Sequence, residues 1–166
     1  VATDADVAIR PATPDDVEQI YELIVALAEY EREPEAVVGT PEMLGRWLFG
    51  AQPVAEAVVA EAGGQLAGFA LYHLTFSTWE CAPGIWLEDL FVRPEQRRHG
   101  VGAALLRHVA AITLERGYTR LGWSALDWNE PALSFYEKLG AARLDEWKLH
   151  RVSGSALAAL AGGPEQ

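Results

Sequence analysis

The run Arg97-Arg98-His99-Gly100-Val101-Gly102 joins a segment of strand character to one of helical periodicity, and it is well suited to hold a charged ligand. Glycine permits positive φ and lets a ligand approach the backbone closely. The first amides of a helix have no internal partners, and the helix dipole is positive there. Together these features make a place for a pyrophosphate. Arg97 and Arg98 add charge-assisted hydrogen bonds. A tight strand-to-helix turn that happens to hold two glycines explains the same spacing equally well. The run is not a Walker loop, because G-x-x-x-x-G-K-[ST] is absent, nor is it the full dinucleotide fingerprint. The single cysteine, Cys81, and the histidines His73, His99, His108 and His150 form no metal-ligand spacing, so no metal is expected.

The elements that position this loop follow from periodicity. Val7 to Arg10 alternates and stops at Pro11, as a first strand would. Thr13-Pro14-Asp15-Asp16 opens a helix by capping chemistry, and Val17, Ile20, Ile24 and Leu27 carry its apolar stripe to near Glu31 or Pro34. Thr40-Pro41-Glu42 starts a shorter helix that Gly50 stops. Ala55 to Ala62 and Gln65 to Thr75 read as a hairpin about Gly63-Gly64. After a loop from Phe76 to Gly84, a fourth strand runs from Ile85 to Val92. A helix from Gly100 to Gly117 and a strand from Tyr118 to Leu126 follow. Asn129 caps the next helix, which ends before Gly140. Trp147 to Val152 is expected as a last strand, and Ser155 to Leu160 as a short helix. The order describes one mixed α/β layer domain over residues 1–166, with its core at about 7–152.

Bulk properties narrow the function classes. The chain has 166 residues, 50% of them hydrophobic, enough for one core. Its net charge is −11, which disfavours nucleic-acid binding and suits a cationic substrate or simple solubility. No stretch of about 18 uncharged apolar residues exists, so no membrane span is expected. Val1 to Asp6 lacks the pattern of a secretory signal. A lone thiol points to a reducing, cytoplasmic compartment.

At this point the chain resembles a known superfamily. Arg97-x-x-Gly100-x-Gly102 matches the [QR]-x-x-G-x-[GA] acetyl-CoA loop of the GNAT N-acetyltransferases. Leu87-Glu88-Asp89-Leu90-Phe91-Val92-Arg93-Pro94 resembles the fourth strand of that superfamily. Leu126-Asp127-Trp128-Asn129-Glu130-Pro131-Ala132 and Phe135-Tyr136-Glu137-Lys138-Leu139-Gly140-Ala141 resemble its C-terminal motif. More narrowly, Ile9-Arg10-Pro11-Ala12-Thr13, Leu27-Ala28-Glu29-Tyr30-Glu31, Ser77-Thr78-Trp79 and Trp128-Asn129-Glu130-Pro131 are similar to the spermidine/spermine and thialysine acetyltransferase group. The likeness runs from Ile9 to about Arg151.

The resemblance implies a mostly antiparallel sheet of six to seven strands with about four helices. It also implies a bulge in the fourth strand that splays it from the fifth, with CoA in the gap. By the same likeness, Leu90, Phe91 and Val92 hold the pantetheine arm and acetyl carbonyl. The amides of Arg98, His99, Gly100, Val101, Gly102 and Ala103 hold the pyrophosphate. Asn129, Phe135, Tyr136 and Lys138 line the cofactor's C-terminal side, and a homodimer is implied.

Acetylation of an amine sets its own needs. A free alkylamine has a pKa of about 10.4, so something must accept its proton. Glu88 is assigned that role, through water, with His73 as the competing base. Alternation along the strand sends Glu88 and Asp89 to opposite faces. Tyr136 is assigned as the acid for the leaving sulfur. Tyr30, Glu31, Trp79 and Glu146 are expected to line the acceptor site. The expected activity is transfer of acetyl from acetyl-CoA to a small polyamine, diamine or lysine-like amine. A protein lysine, an antibiotic, or acyl-CoA binding without turnover are the alternatives.

Three departures from the group bear on the site. Arg98 stands where relatives often have glycine, and a positive φ there would be strained. Cys81-Ala82-Pro83 replaces a glycine-rich stretch, and Trp86 replaces a tyrosine.

Overall fold

The alternating segments build one five-stranded sheet in which neighbours in sequence are neighbours in space. A computed structural model describes residues 7–162; Val1 to Asp6, read above for targeting, lies outside them. The strands are β1 (Ala8–Pro11), β2 (Glu56–Ala62), β3 (Gln65–Ser77), β4 (Ala82–Val92) and β5 (Leu121–Gly122). The first four pair antiparallel, and β5 joins β4 in parallel. The helices are α1 (Val17–Tyr30), α2 (Pro41–Phe49), α3 (Val101–Glu115), α4 (Glu130–Lys138) and α5 (Gly154–Leu160). The chain forms two compact units that meet in sequence between Ser124 and Ala125.

In the first unit, the sheet is covered on both faces. Ile20 and Leu23 of α1 and Leu48 of α2 pack with Val59, Phe69, Leu71 and Phe91 in one buried cluster. The alternate residues Val58, Ala60 and Ala70 are also buried. They face the other way on the pleat. Helix α3 covers that side with the buried residues Val101, Leu105, Leu106 and Val109. No helix among the described residues is long and apolar enough to cross a membrane.

The entry to α1 is pinned by charge. Arg10 grips Asp16 with two hydrogen bonds of 2.7 and 2.9 Å, and its Nε donates to Glu61 at 2.8 Å. Thr13 N donates to Asp16 Oδ2 at 2.7 Å, so Asp16 serves the turn that leads into the helix. The Arg10 guanidinium therefore holds the Asp16 carboxyl down at about 2, against an ordinary value of 3.8. Its side chain is only 6% exposed, so solvent screening is weak. A depressed carboxylate pKa gives stability that is present above the unfolded value and lost as pH falls through the folded one. Denaturant melts between pH 5 and pH 2 should therefore show a loss of about 2 kcal/mol that is absent in Asp16→Asn.

The β3–β4 hairpin is longer than the sequence suggests. Strand β4 begins at Ala82, so the expected loop from Phe76 to Gly84 contracts to the turn Thr78–Cys81. Cys81 takes φ 49° there, a conformation usually left to glycine. Ser77 Oγ accepts from Glu80 N at 3.3 Å and closes the turn.

In the second unit, Asn129 accepts from Ala132 N at 3.3 Å and caps α4, as its position in the sequence implies. Gly140 ends that helix with φ 88°. The expected last strand, Trp147 to Val152, is not a strand. Among its described residues the second unit contains no other strand that could complete a ladder with it, and the described residues form five strands rather than six or seven.

Candidate active site

The site begins where the β4–β5 ladder stops. The parallel pair is joined only at Ile85 with Leu121 and at Trp86 with Gly122. From Leu87 to Val92, β4 has no strand partner on that side among the described residues. Within the same stretch, Tyr72 pairs with Leu87 and Leu71 with Asp89, so Glu88 is the extra residue of a bulge. A bulge bends a strand and increases its twist. The bulge implied by the resemblance thus falls at Glu88, and strict alternation across Glu88 and Asp89 does not hold.

Carboxylates gather at this bulge. Glu88 is exposed, and its Oε2 lies 3.5 Å from His73 Nε2 on the neighbouring strand. His73 Nδ1 is 3.0 Å from the Leu74 carbonyl, so that nitrogen donates and Nε2 is left facing the glutamate. Asp89 is the residue that sequence reasoning missed. Burial pushes its carboxyl up to about 6, and the negative charges of Glu88 and Glu31 push the same way. Glu31, the C-terminal cap of α1, is itself raised by burial. Only the pairing register and the desolvation of position 89 reveal this role. A Leu-Glu-Asp-Leu run carries neither signal.

The loop after β4 turns back into α3 through two left-handed residues. Arg98 has φ 70° and Gly100 has φ 76°, so the strain foreseen for a non-glycine residue at position 98 is present. The N-cap of α3 is Gly100, and no side chain caps the helix. In contrast, Thr40 caps α2 and Asn129 caps α4. Gly100 therefore offers the first-turn amides of α3 no side-chain acceptor of its own. A Cβ added to Gly100 would meet nothing within 4 Å. This cradle fits the diphosphate of a nucleotide cofactor by both shape and dipole sign.

A substitution separates backbone strain from ligand crowding. Gly117 has φ 70° just beyond the far end of α3, and its added Cβ also meets nothing within 4 Å. Gly100→Val and Gly117→Val should each cost about 1–2 kcal/mol of stability for the left-handed backbone. Only Gly100→Val should weaken acetyl-CoA, by tenfold or more, in calorimetric titrations. Equal affinity in the two variants would contradict this use of the loop.

The other expected residues lie as follows. Leu90 and Val92 are half-buried at the free side of β4, while Phe91 belongs to the core. Arg97 turns its Nε to the Val92 carbonyl at 3.0 Å. Tyr30 is the last residue of α1, beside Glu31. Trp79 stands exposed in the hairpin turn, three residues before β4 begins. Glu88 is six strand residues beyond Ala82, about 20 Å along β4. The structure therefore does not bring Trp79 to the bulge. Phe135 and Tyr136 lie on α4 with ring centroids 5.2 Å apart, and Lys138 ends that helix. Glu146 lies in the turn closed by Trp147 N and the Leu144 carbonyl, at 3.1 Å. Among the described residues, no group of three or more His, Cys, Asp or Glu side chains could hold a metal ion.

A glycine-capped helix following a bulged strand that is paired on one side only defines the α/β class of the protein. A family model described as the acetyltransferase (GNAT) family matches residues 17–141, and the chain belongs to that family. It is an N-acetyltransferase of a family that uses acetyl-CoA. A thialysine N-epsilon-acetyltransferase from Bos taurus is 37% identical, over 95% of this chain and 99% of its own length. An L-ornithine N5-acetyltransferase from Arabidopsis thaliana is 29% identical, over 92% and 86%. Among solved structures, an integron cassette protein from V. cholerae superposes with a TM-score of 0.79 at 25% identity, covering 93% of this chain and 97% of its own.

Proposed function

We propose that the protein transfers acetyl from acetyl-CoA to a primary amine of a small, multiply charged acceptor: a diamine, a polyamine or a lysine-like amino acid. The carrying observation is the gathering of Glu31, Glu88 and Asp89 beside the open stretch of β4. Such a group attracts an acceptor with a second positive charge, and the net charge of −11 favours its approach. Relatives named for thialysine, ornithine and spermidine/spermine support the same class.

In this reading the amides of Arg98 to Ala103 hold the pyrophosphate at the α3 N-terminus. Main-chain groups of Leu90, Phe91 and Val92 hold the pantetheine arm and orient the acetyl carbonyl. Bound acetyl-CoA supplies the activated acyl group. Glu88 takes the amine proton through water, with His73 beside it to share the charge. Tyr136 donates a proton to the departing sulfur, a role carried by the C-terminal motif. Asn129, Phe135 and Lys138 complete the cofactor contacts. Tyr30, Glu31 and Glu146 contribute to acceptor binding, and Trp79 remains assigned to that group by resemblance alone. A homodimer and a cytoplasmic location belong to the same reading, on the strength of the family likeness.

A panel of amines assayed with labelled acetyl-CoA tests the proposal. It should include thialysine, ornithine, spermidine, a monoamine of similar length, an aminoglycoside and a lysine peptide. The expected result is a preference of tenfold or more for the small multivalent amines over the monoamine. Activity on peptides with none on small diamines would overturn it, as would acetyl-CoA binding without turnover on any amine.

A further inference from the structure

We propose that Arg97 is a positioning residue for the acceptor, fastening the end of α1 to the end of β4 through the faces of its guanidinium. The guanidinium carbon lies 4.9 Å from the Tyr30 ring centroid and 5.4 Å from that of Phe91. Its Nε also donates to the Val92 carbonyl at 3.0 Å. One side chain from the cofactor loop thus touches a buried ring on β4, the last carbonyl of β4 and the half-open ring that ends α1.

Charge favours this fastening. The last turn of α1 contains no basic residue, and its C-cap is Glu31. A helix C-terminus carries partial negative charge and is stabilised by a nearby cation. Arg32 follows the C-cap directly, and Arg97 brings a second cation to the same end from another element. A planar guanidinium can engage aromatic faces while its edge donates a hydrogen bond; a lysine ammonium has no such plane. Movement of the cofactor loop is therefore coupled to the place of Tyr30 and Glu31. This inference rests on the acceptor placement proposed above and is distinct from a phosphate-binding role for Arg97.

Steady-state kinetics with thialysine, with acetyl-CoA saturating, test it in Arg97→Lys, Tyr30→Leu, Tyr30→Phe and the Arg97→Lys/Tyr30→Leu double variant. Calorimetry gives acetyl-CoA affinity for each, and thermal melts report folding. Arg97→Lys keeps the charge but loses the stack, so the KM for thialysine should rise about tenfold while acetyl-CoA affinity changes less than about threefold. The double variant should be no worse than about threefold beyond Tyr30→Leu, because both changes break one contact. Tyr30→Phe keeps the ring that Tyr30→Leu removes, so its thialysine KM should lie nearer to wild type than that of Tyr30→Leu, which also tests the stack if Arg97→Lys fails to fold. A lowered melting temperature with an unchanged thialysine KM would mark a purely structural Arg97 and overturn the inference. Weakened acetyl-CoA with an unchanged thialysine KM would make Arg97 a phosphate ligand instead. Multiplicative losses in the double variant, or Tyr30→Phe as damaged as Tyr30→Leu, would also overturn it. If Tyr30→Leu alone left the thialysine KM unchanged, the acceptor placement itself would fall, and the inference with it.

Discussion

Tyr136→Phe is expected to lower kcat about 100-fold while leaving acetyl-CoA affinity within about threefold. A tyrosine phenol titrates near about 10 in water, so it carries its proton at neutral pH. The leaving group is a thiolate whose conjugate acid, by analogy with cysteine, has a pKa of about 8.5. It departs more readily than an alkoxide would, which places the benefit of an acid at the low end of the usual range. A 100-fold loss corresponds to about 2.7 kcal/mol of transition-state stabilisation. The phenylalanine keeps the ring and its neighbour Phe135, so packing on α4 is preserved. Single-turnover rates separate the chemical step from product release. Equal turnover in the variant would remove Tyr136 from the role.

Glu88→Gln is expected to reduce kcat/KM for the amine about 100-fold at pH 7, with a deficit that narrows as pH rises. An ammonium of pKa about 10.4 must lose its proton before attack, and in the variant only solvent or the neighbouring His73 can take it. Near pH 10 much of the amine is already neutral, so the carboxylate becomes dispensable. Asp89→Asn is the control for charge alone. Burial and the neighbouring Glu88 and Glu31 hold the Asp89 carboxyl up at about 6. Between pH 5 and pH 7 this group changes from mainly neutral to mainly anionic, so its contribution to amine binding grows across that window. Asp89→Asn should therefore flatten the rise in amine affinity between pH 5 and pH 7 without restoring activity near pH 10. A Glu88→Gln deficit that stayed constant with pH would argue against proton acceptance by Glu88.

Much of this architecture was legible in the residues because it depends on local rules. Helices α1, α2 and α3 follow apolar repeats bounded by Thr, Pro and Gly signals, and the Gly63-Gly64 turn marks the β2–β3 hairpin. The left-handed conformation at Arg98 was foreseeable from the resemblance, since relatives often have glycine there. Features that depend on pairing between distant segments were not legible. The bulge at Glu88 exists only relative to the register of β3, so an alternation count along β4 could not locate it. Asp89 gains its character from desolvation and from the charge of Glu31, more than fifty residues earlier. The Arg97 stack needs Tyr30 and Phe91 brought together by the fold. The Thr78–Cys81 turn lacks the glycine that would have announced it, and Cys81 adopts the left-handed conformation instead. The stretch from Trp147 to Val152 has strand composition, but the described residues of its own unit include no strand to pair with it. Composition alone does not make a ladder.

A titration of isotope-labelled protein with CoA, followed through the backbone amide resonances, tests the central claim most directly. The account predicts the largest shifts at Val101, Gly102 and Ala103, in the uncapped first turn of α3, with smaller shifts at Leu90 to Val92. Saturable CoA binding that left those first-turn amides unmoved would contradict it.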